Sequence, residues 1–378
     1  MTTHRTMATV FAVALLGGCG PAVVPATPRA QAVGPKWFED VTDRVGVRFT
    51  HDPGPVPGNF SLPQINGSGC AIADFDGDGD GRPDLLFLTH GGPDSASKNA
   101  LYRQNDDGTF ADVSAGSGLD FAGRNMGVAV GDIDNDGRPD VAVTRYGGVR
   151  LFRNLGGMRF EDISESAGVG SRGWCTSAGF LDYDRDGRLD SAVVNGRVNR
   201  GPPANDALGP FWTRYAERNQ VFVGVGEGKF RDRADAEPDL CGTPDNARGL
   251  AVGDLDGDGA LDLVVTTIND RARIYRNVCP ERGHWAAMRC VDPARGASDV
   301  AALVKLTFGG MSRVRLADRG GSFLSSSDAR AHFGMGEVKT IDAIEVRWPD
   351  GTREAFAGGP ADRVITVRKG EGQVVRTG

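Results

Sequence analysis

The sequence predicts an all-β protein: a β-propeller of four aspartate-loop repeats, with four to five blades, followed by a small β-sandwich-like domain. Three observations predict it. Glycine supplies 55 of 378 residues, roughly twice its usual share. Almost no window of helical length escapes Gly, Pro or an Asp cluster, which excludes bundles and coiled coils. The pattern Asp-x-Asp-x-Asp-Gly-x-x-Asp recurs four times between apolar runs, at a spacing near the ~50 residues of a propeller blade. After residue 282 the pattern stops, and short apolar strands with tight turns take over.

The charge pattern narrows the function classes. Seventeen of the 50 acidic residues sit in the four loops, leaving 33 against 43 basic residues elsewhere. Four divalent cations would nearly cancel the net charge of −7. The acidity is therefore local and metal-directed. No basic stripe suggests nucleic acid, and no Gly-rich phosphate cradle suggests a nucleotide.

Residues 1–18 form an export signal. His4 and Arg5 precede an apolar run, Met7–Leu16, too short to span a bilayer. Leu16-Gly17-Gly18-Cys19 resembles the bacterial lipobox, which implies cleavage before Cys19 and lipid attachment to its thiol. The alternative is an ordinary secretory signal with an incidental Cys. Gly20 favours the outer membrane in a cell that has one. Residues 19–35, rich in Pro and Ala, read as a semi-extended tether. The expected location is outside the cytoplasm, lipid-anchored in the bacterial cell envelope.

Residues 36–282 carry the repeats. Three copies are regular: Asp132, Asp134, Asp136 and Asp140; Asp182, Asp184, Asp186 and Asp190; Asp254, Asp256, Asp258 and Asp262. The first copy holds Asp74, Asp76, Asp78, Asp80 and Asp84 and is two residues longer, so its register starts at either Asp74 or Asp76. An aromatic strand follows each loop: Leu101-Tyr102-Arg103, Leu151-Phe152-Arg153-Asn154, the degenerate Val221-Phe222-Val223, and Ile274-Tyr275-Arg276-Asn277. Phe110, Phe160 and Phe230 open a further strand in the first three units. The fourth unit lacks one, while an extra copy at Phe38 precedes the first. The amino-terminal strand is thus expected to complete the last blade and close the ring.

The third unit carries an insertion of ~20 residues around 195–218, and long loops inside compact repeats are often functional. Trp212, Arg214 and Tyr215, beside Phe211, suit anchoring of a partner. The same aromatics can instead fold back as one helical turn and cap the propeller. Both readings stand at this stage.

Alternating carboxylates on a tight Gly turn suit Ca²⁺, which takes six to eight oxygen ligands. The spacing mimics the start of an EF-hand loop, but Val143, Val193 and Val265 stand where its bidentate Glu belongs. The fourth Asp is expected to close each site instead, giving about four Ca²⁺ ions, one per loop. Asp-Gly turn chemistry without metal would explain one copy. It does not explain four clusters of mutually repelling carboxylates.

These loops resemble the FG-GAP or VCBS repeats of integrin-type propellers. Phe38-Glu-Asp-Val-Thr42 and Leu151-Phe-Arg-Asn154 are similar to the cartilage acidic protein family. His284-Trp285, Val300–Val304, Gly320–Leu324, His332–Gly336 and Ile344–Gly351 resemble that family's ASPIC/UnbV domain. The resemblance covers residues 36–370. It implies a seven-bladed propeller followed by a small β domain, with a calcium-binding extracellular or envelope role. Only four repeats are present here, which leaves a four- or five-bladed ring, an incomplete propeller, or assembly between chains.

In residues 283–378 the expected strands are Val304–Phe308, Arg313–Leu316, Ile344–Trp348, Thr352–Phe356 and Val364–Val367. His332 lacks any ligand pattern and reads as structural, and Ser325–Asp328 as a turn. A disulfide Cys279–Cys290 is expected at the junction between the domains, with Cys175 and Cys241 a second candidate pair and Cys70 buried.

The function expected is that of a non-enzymatic, calcium-binding, membrane-anchored interaction lipoprotein, an adhesin or scaffold whose partner is a protein or glycan at the cell surface. The alternative is a calcium-dependent carbohydrate-binding propeller. A polysaccharide- or ester-cleaving enzyme ranks last, because no nucleophile elbow or zinc pair appears.

Overall fold

The computed structural model describes residues 39–375 apart from 55–66, 79–81, 171–172, 281, 296–299, 319, 322 and 324. The export signal, Cys19, the tether, Phe38 and Asp80 lie outside the described residues. The architecture is all-β. Blade 1 is β1 (Cys70–Ala73), β2 (Asp84–Phe87), β3 (Ala100–Gln104) and β4 (Phe110–Asp112). Blade 2 is β5 (Asn125–Gly131), β6 (Asp140–Arg145), β7 (Gly148–Asn154) and β8 (Phe160–Asp162). Blade 3 is β9 (Cys175–Leu181), β10 (Asp190–Asn195), β11 (Gln220–Gly226) and β12 (Lys229–Asp232). Blade 4 is β13 (Ala247–Gly253), β14 (Asp262–Thr267) and β15 (Arg273–Tyr275). Each is an antiparallel meander in chain order, with its Asp loop between first and second strands.

The second strand of each blade works by its period of two. Val141 and Val143 pack toward blade 1, while Ala142 packs toward blade 3. Ala192 and Val194 meet Leu263 and Val265 of blade 4. Burying a side chain of this size contributes about 1.5–3 kcal/mol, so these junctions hold the array together. The clusters fill the junctions 1–2, 2–3 and 3–4. The described residues form no such cluster between blades 4 and 1, and Ile72 on β1 and Ile274 on β15 are exposed. The array is open.

Phe38, which opens the expected amino-terminal strand, lies outside the described residues, and blade 4 has three strands among the described residues. Residues 45–49 pack on blade 1. Phe110 N–H donates to the Val45 carbonyl, and Phe49 stacks on Phe87 at 5.1 Å. Phe87 sits where inner blades bury a side chain against the preceding blade. With no preceding blade, this stretch covers it.

The carboxy-terminal part forms two sheets around one core. β16 (His284–Val291) is central in the order β19–β16–β22, with β19 (Ala331–Gly336) antiparallel and β22 (Arg363–Arg368) parallel to it. The other sheet runs β18 (Met311–Ala317), β17 (Ala302–Phe308), β20 (Thr340–Arg347), β21 (Arg353–Pro360), β23 (Gln373–Val374). Met288, Val304, Leu306, Phe308, Phe333 and Trp348 fill the core between them.

Residues Thr42–Gly378 form one unit, and a segment between β18 and β19 runs along the inner strands of the blades. Phe323 packs with Met126 and Trp174, and its carbonyl accepts from Ser177 Oγ at 3.0 Å. Ser325 and Ser327 hydroxyls accept the N–H groups of Leu250 and Val252 on β13, and Asp328 N–H returns to the Val252 carbonyl. The serine run is thus a cap for strand-edge donors that would otherwise be left without a protein partner.

The expected Cys279–Cys290 bridge is not formed. Cys290 points with Ala286 and Met288 into the sealed C-terminal core, whereas Cys279 lies half-buried in the connector, its N–H bonded to Asn277 Oδ1. Cys175 and Cys241 belong to different clusters, and Cys70 is exposed rather than buried.

Candidate metal centres

Strand pairing fixes the loop register. The residue before the first Asp pairs with the last Asp in every blade: Gly131 with Asp140, Leu181 with Asp190, Gly253 with Asp262, and Ala73 with Asp84. The first loop therefore starts at Asp74, and its two extra residues lie inside it.

The fourth Asp is first of all a brace. One oxygen of Asp140 accepts from Ile133 N–H at 2.9 Å and the other from Asn154 N–H at 2.7 Å. The same pair recurs at Asp84 with Phe75 and Gln104, at Asp190 with Tyr183 and Gly224, and at Asp262 with Leu255 and Asn277. All four braces are buried, and each ties the loop to the third strand of its blade or, in blade 4, to the chain just past it.

The fourth loop position is left-handed in every copy: Gly77, Asn135, Arg185 and Gly257 have φ between 60 and 77°. Such a residue bends the chain back so that the carboxylates converge. Oxygens of Asp74, Asp76 and Asp78 lie within 4.8 Å of one another, as do those of Asp132, Asp134 and Asp136. In the last two loops the converging sets are Asp182, Asp184, Asp190 and Asp254, Asp256, Asp262, so the brace also faces the cluster.

The aromatic-Arg-x-Asn strand has its reason here. Arg153 pairs with Asp134 at 3.2 Å, and Arg276 pairs with Asp256, the third-position Asp of the same blade's loop. Asn154 Nδ2 donates to the Phe75 carbonyl and Asn277 Nδ2 to the Tyr183 carbonyl, each in the loop of the preceding blade. The motif locks neighbouring loops together.

The residues fit a divalent cation. Asp134 Oδ1 and Asp182 Oδ1 are buried with no hydrogen-bond partner among the described residues. Burial pushes Asp132 and Asp76 up to about 6, Asp182 to about 7 and Asp190 to about 8, with neighbouring carboxylates adding to it. A cation in the loop would supply the missing charge and ligand the orphaned oxygens. A carboxyl whose pKa is higher folded than unfolded contributes stability below about pH 4 and loses it as pH rises through the folded value. Metal-free protein is therefore expected to melt lower at pH 8 than at pH 5, with calcium reversing the trend; calorimetry at the two pH values checks it.

The C-terminal domain lies on these loops. Arg347 Nη1 donates to Asp74 Oδ2 at 2.9 Å, Arg330 Nη2 to the Asp254 carbonyl at 3.1 Å, and Gly334 N–H to Asp182 Oδ2 at 2.9 Å. His332 is half-buried and its Nε2 lies 2.8 Å from the Gly259 carbonyl. Burial pushes it down to about 4, so it is neutral and donates that bond.

The insertion joins second and third strands, at the opposite end of the blade from the Asp loop. Its polypeptide turns helically over Asp206–Tyr215, with Leu208 and Thr213 buried. Asn246 Nδ2 donates to the Trp212 carbonyl and Asn205 Nδ2 to the Pro244 carbonyl, which fixes the turn to the entry of blade 4. Phe211, Trp212 and Tyr215 pack on one another with centroids 4.9–5.9 Å apart, and Arg200 lies over Phe211. Phe211 is 48% exposed, Arg214 is exposed, and Trp212 and Tyr215 are half-buried. The aromatics therefore combine a helical turn with a solvent-facing platform. Beside it lies a groove of about 660 Å³ lined by Asn195, Arg197, Glu217, Gln220, Asp235 and Pro238 among others.

An array of bladed sheets, wound acidic loops at one end and a β domain laid over them define a repeat protein of the FG-GAP type. The FG-GAP-like repeat model matches residues 76–143, 132–193 and 211–265, and the ASPIC and UnbV model matches residues 294–374. The chain is an FG-GAP-repeat protein with a C-terminal ASPIC/UnbV domain, homologous to cartilage acidic protein 1. It is 29% identical to that protein of Xenopus tropicalis over 71% of this chain and 41% of the relative. It is likewise 29% identical to that of Homo sapiens, over 71% and 40%. The chain thus spans about two fifths of the length of these relatives. Among solved structures, an Agrocybe aegerita lectin with specific recognition of non-reducing terminal N-acetylglucosamine aligns over 78% of this chain and 80% of its own, at 16% identity and a TM-score of 0.34. The V. cholerae biofilm matrix protein Bap1 aligns over 77% and 59%, at 14% identity and a TM-score of 0.30. Superpositions this loose carry no argument.

Proposed function

We propose that the chain is a calcium-stabilised, lipid-anchored interaction protein of the bacterial envelope, non-enzymatic, with about one Ca²⁺ in each Asp loop. The observation that carries the calcium reading is the convergence of three carboxylate oxygens within 4.8 Å in all four loops, two of them with orphaned buried oxygens. The loops brace the blades, and the opposite end is left for a partner. Two charged groups of the groove are already engaged: Glu217 pairs with Arg197 and accepts the Trp174 N–H. That suits recognition rather than turnover.

The partner-binding surface proposed is the insertion with Trp212, Arg214 and Tyr215. Half-exposed aromatics beside Arg are typical anchors. Trp212→Ala and Arg214→Ala are expected to weaken capture of the envelope partner at least tenfold while shifting melting by only a few degrees, as pulldown and calorimetry would show. Carbohydrate binding is the second reading, favoured by the half-exposed aromatics with the Gln220 carboxamide in the groove beside them. A glycan array with the same variants separates the two.

The anchor is tested on its own. Cys19→Ala is expected to abolish lipid attachment, moving the protein from the detergent phase to the aqueous phase. A wild-type amino terminus without lipid mass would remove this part of the proposal and leave the rest standing.

A further inference from the structure

The third and fourth Asp loops are built into the C-terminal domain through their backbones. Asp182 Oδ2 receives both the Gly187 N–H of its own loop and the Gly334 N–H of β19. Gly336 N–H donates to the Arg185 carbonyl at 2.8 Å and Gly283 N–H to the Asp184 carbonyl at 3.0 Å. Arg315, 9% exposed, bridges two loops by donating to Asn135 Oδ1 and to the Gly187 carbonyl. At the fourth loop, a Cβ on Gly259 would fall 1.9 Å from the Trp285 ring. Gly334 is equally constrained: its Cβ would fall 2.1 Å from Asp182 Oδ2 and 2.5 Å from the Arg185 backbone.

Most of these partners are carbonyls whose direction depends on the winding of the loop. Arg185, for instance, presents its carbonyl to Gly336 from a left-handed conformation at φ 62°, uncommon for a long side chain. Converging carboxylates oppose that winding, and a cation among them favours it. The domain and the cation therefore select the same loop conformation from opposite sides.

We propose that docking of the C-terminal domain and divalent-cation occupancy of the third and fourth Asp loops are one coupled equilibrium, in which the domain recognises the wound loop. The inference rests on the calcium reading above. It gives the ASPIC/UnbV domain a role as the cover of the cation loops. Coupling is reciprocal: whatever factor calcium adds to docking, docking adds to calcium affinity.

The test uses the full mature chain, with calcium alone as the probe. Hydrogen exchange of the amides of residues 331–336 is expected to quicken at least tenfold when EGTA removes the cation. Gly334→Ala is expected to weaken calcium binding at one or more sites about tenfold by calorimetry. Should that variant not fold, Asp184→Asn removes a candidate ligand whose hydrogen bond lies within its own loop. In saturating calcium its 331–336 amides are expected to exchange as fast as those of EGTA-treated wild type. Calcium binding with unchanged exchange at 331–336, in wild type or in Asp184→Asn, overturns the coupling. Absence of any calcium heat overturns the calcium reading itself, and the proposal with it, so the two failures are distinguishable.

Discussion

Stripping calcium from residues 36–378 with EGTA is expected to lower the melting temperature by roughly 5–15 °C. Extracellular calcium modules commonly hold their ion at 10⁻⁴–10⁻³ M. At millimolar calcium each such site contributes about 0.4–1.4 kcal/mol by mass action. Four sites together supply about 2–6 kcal/mol, a large share of the ~5–15 kcal/mol by which domains are stable. The gain is spread along the array, because each blade carries one loop and each loop is tied to its neighbour by Asn154 or Asn277 where that residue is present. Magnesium should substitute poorly, since it demands a tighter octahedron than these loops offer. Melting unchanged by chelator, together with no metal in the native mass spectrum, would end the calcium reading.

The sequence carried the loops because their chemistry lies in side chains at fixed spacing. Three carboxylates at alternate positions, with a Gly directly after the third, need no tertiary contact to be recognised. The brace was hidden, because the second partner of Asp140 is Asn154 N–H, fourteen residues away on another strand. The first register needed the pairing of Ala73 with Asp84. Strand β19 escaped notice because its apolar alternation, Ala331, Phe333 and Met335, is short and broken by two glycines that disfavour a strand; its conformation is held by β16 and by loop three. The Cys279–Cys290 expectation failed for a plainer reason. Proximity in sequence says nothing about direction, and β16 turns Cys290 inward. Residues 45–49 lie on blade 1 because Phe87 has no preceding blade among the described residues to cover it.

Within one loop, brace and ligand should separate by mutation. Asp140 is fully buried and satisfies two backbone N–H groups; Asp136 is exposed and belongs to the converging cluster. Asp140→Ala leaves Ile133 and Asn154 N–H groups buried without an acceptor, and a buried unsatisfied donor costs about 1–3 kcal/mol. Relief of a carboxylate that burial pushes up to about 8 offsets part of this. A net loss of about 2–4 kcal/mol is expected, with or without calcium. Asp136→Ala removes a ligand and the short-range bond to Arg138 N–H. Its loss should be about 1 kcal/mol in calcium, the share of one site, and near zero in EGTA. Denaturant melts of the two variants in each condition decide the matter. Equal losses in EGTA would mean that Asp140 is no brace, and a calcium-independent loss at Asp136 would mean that it is no ligand.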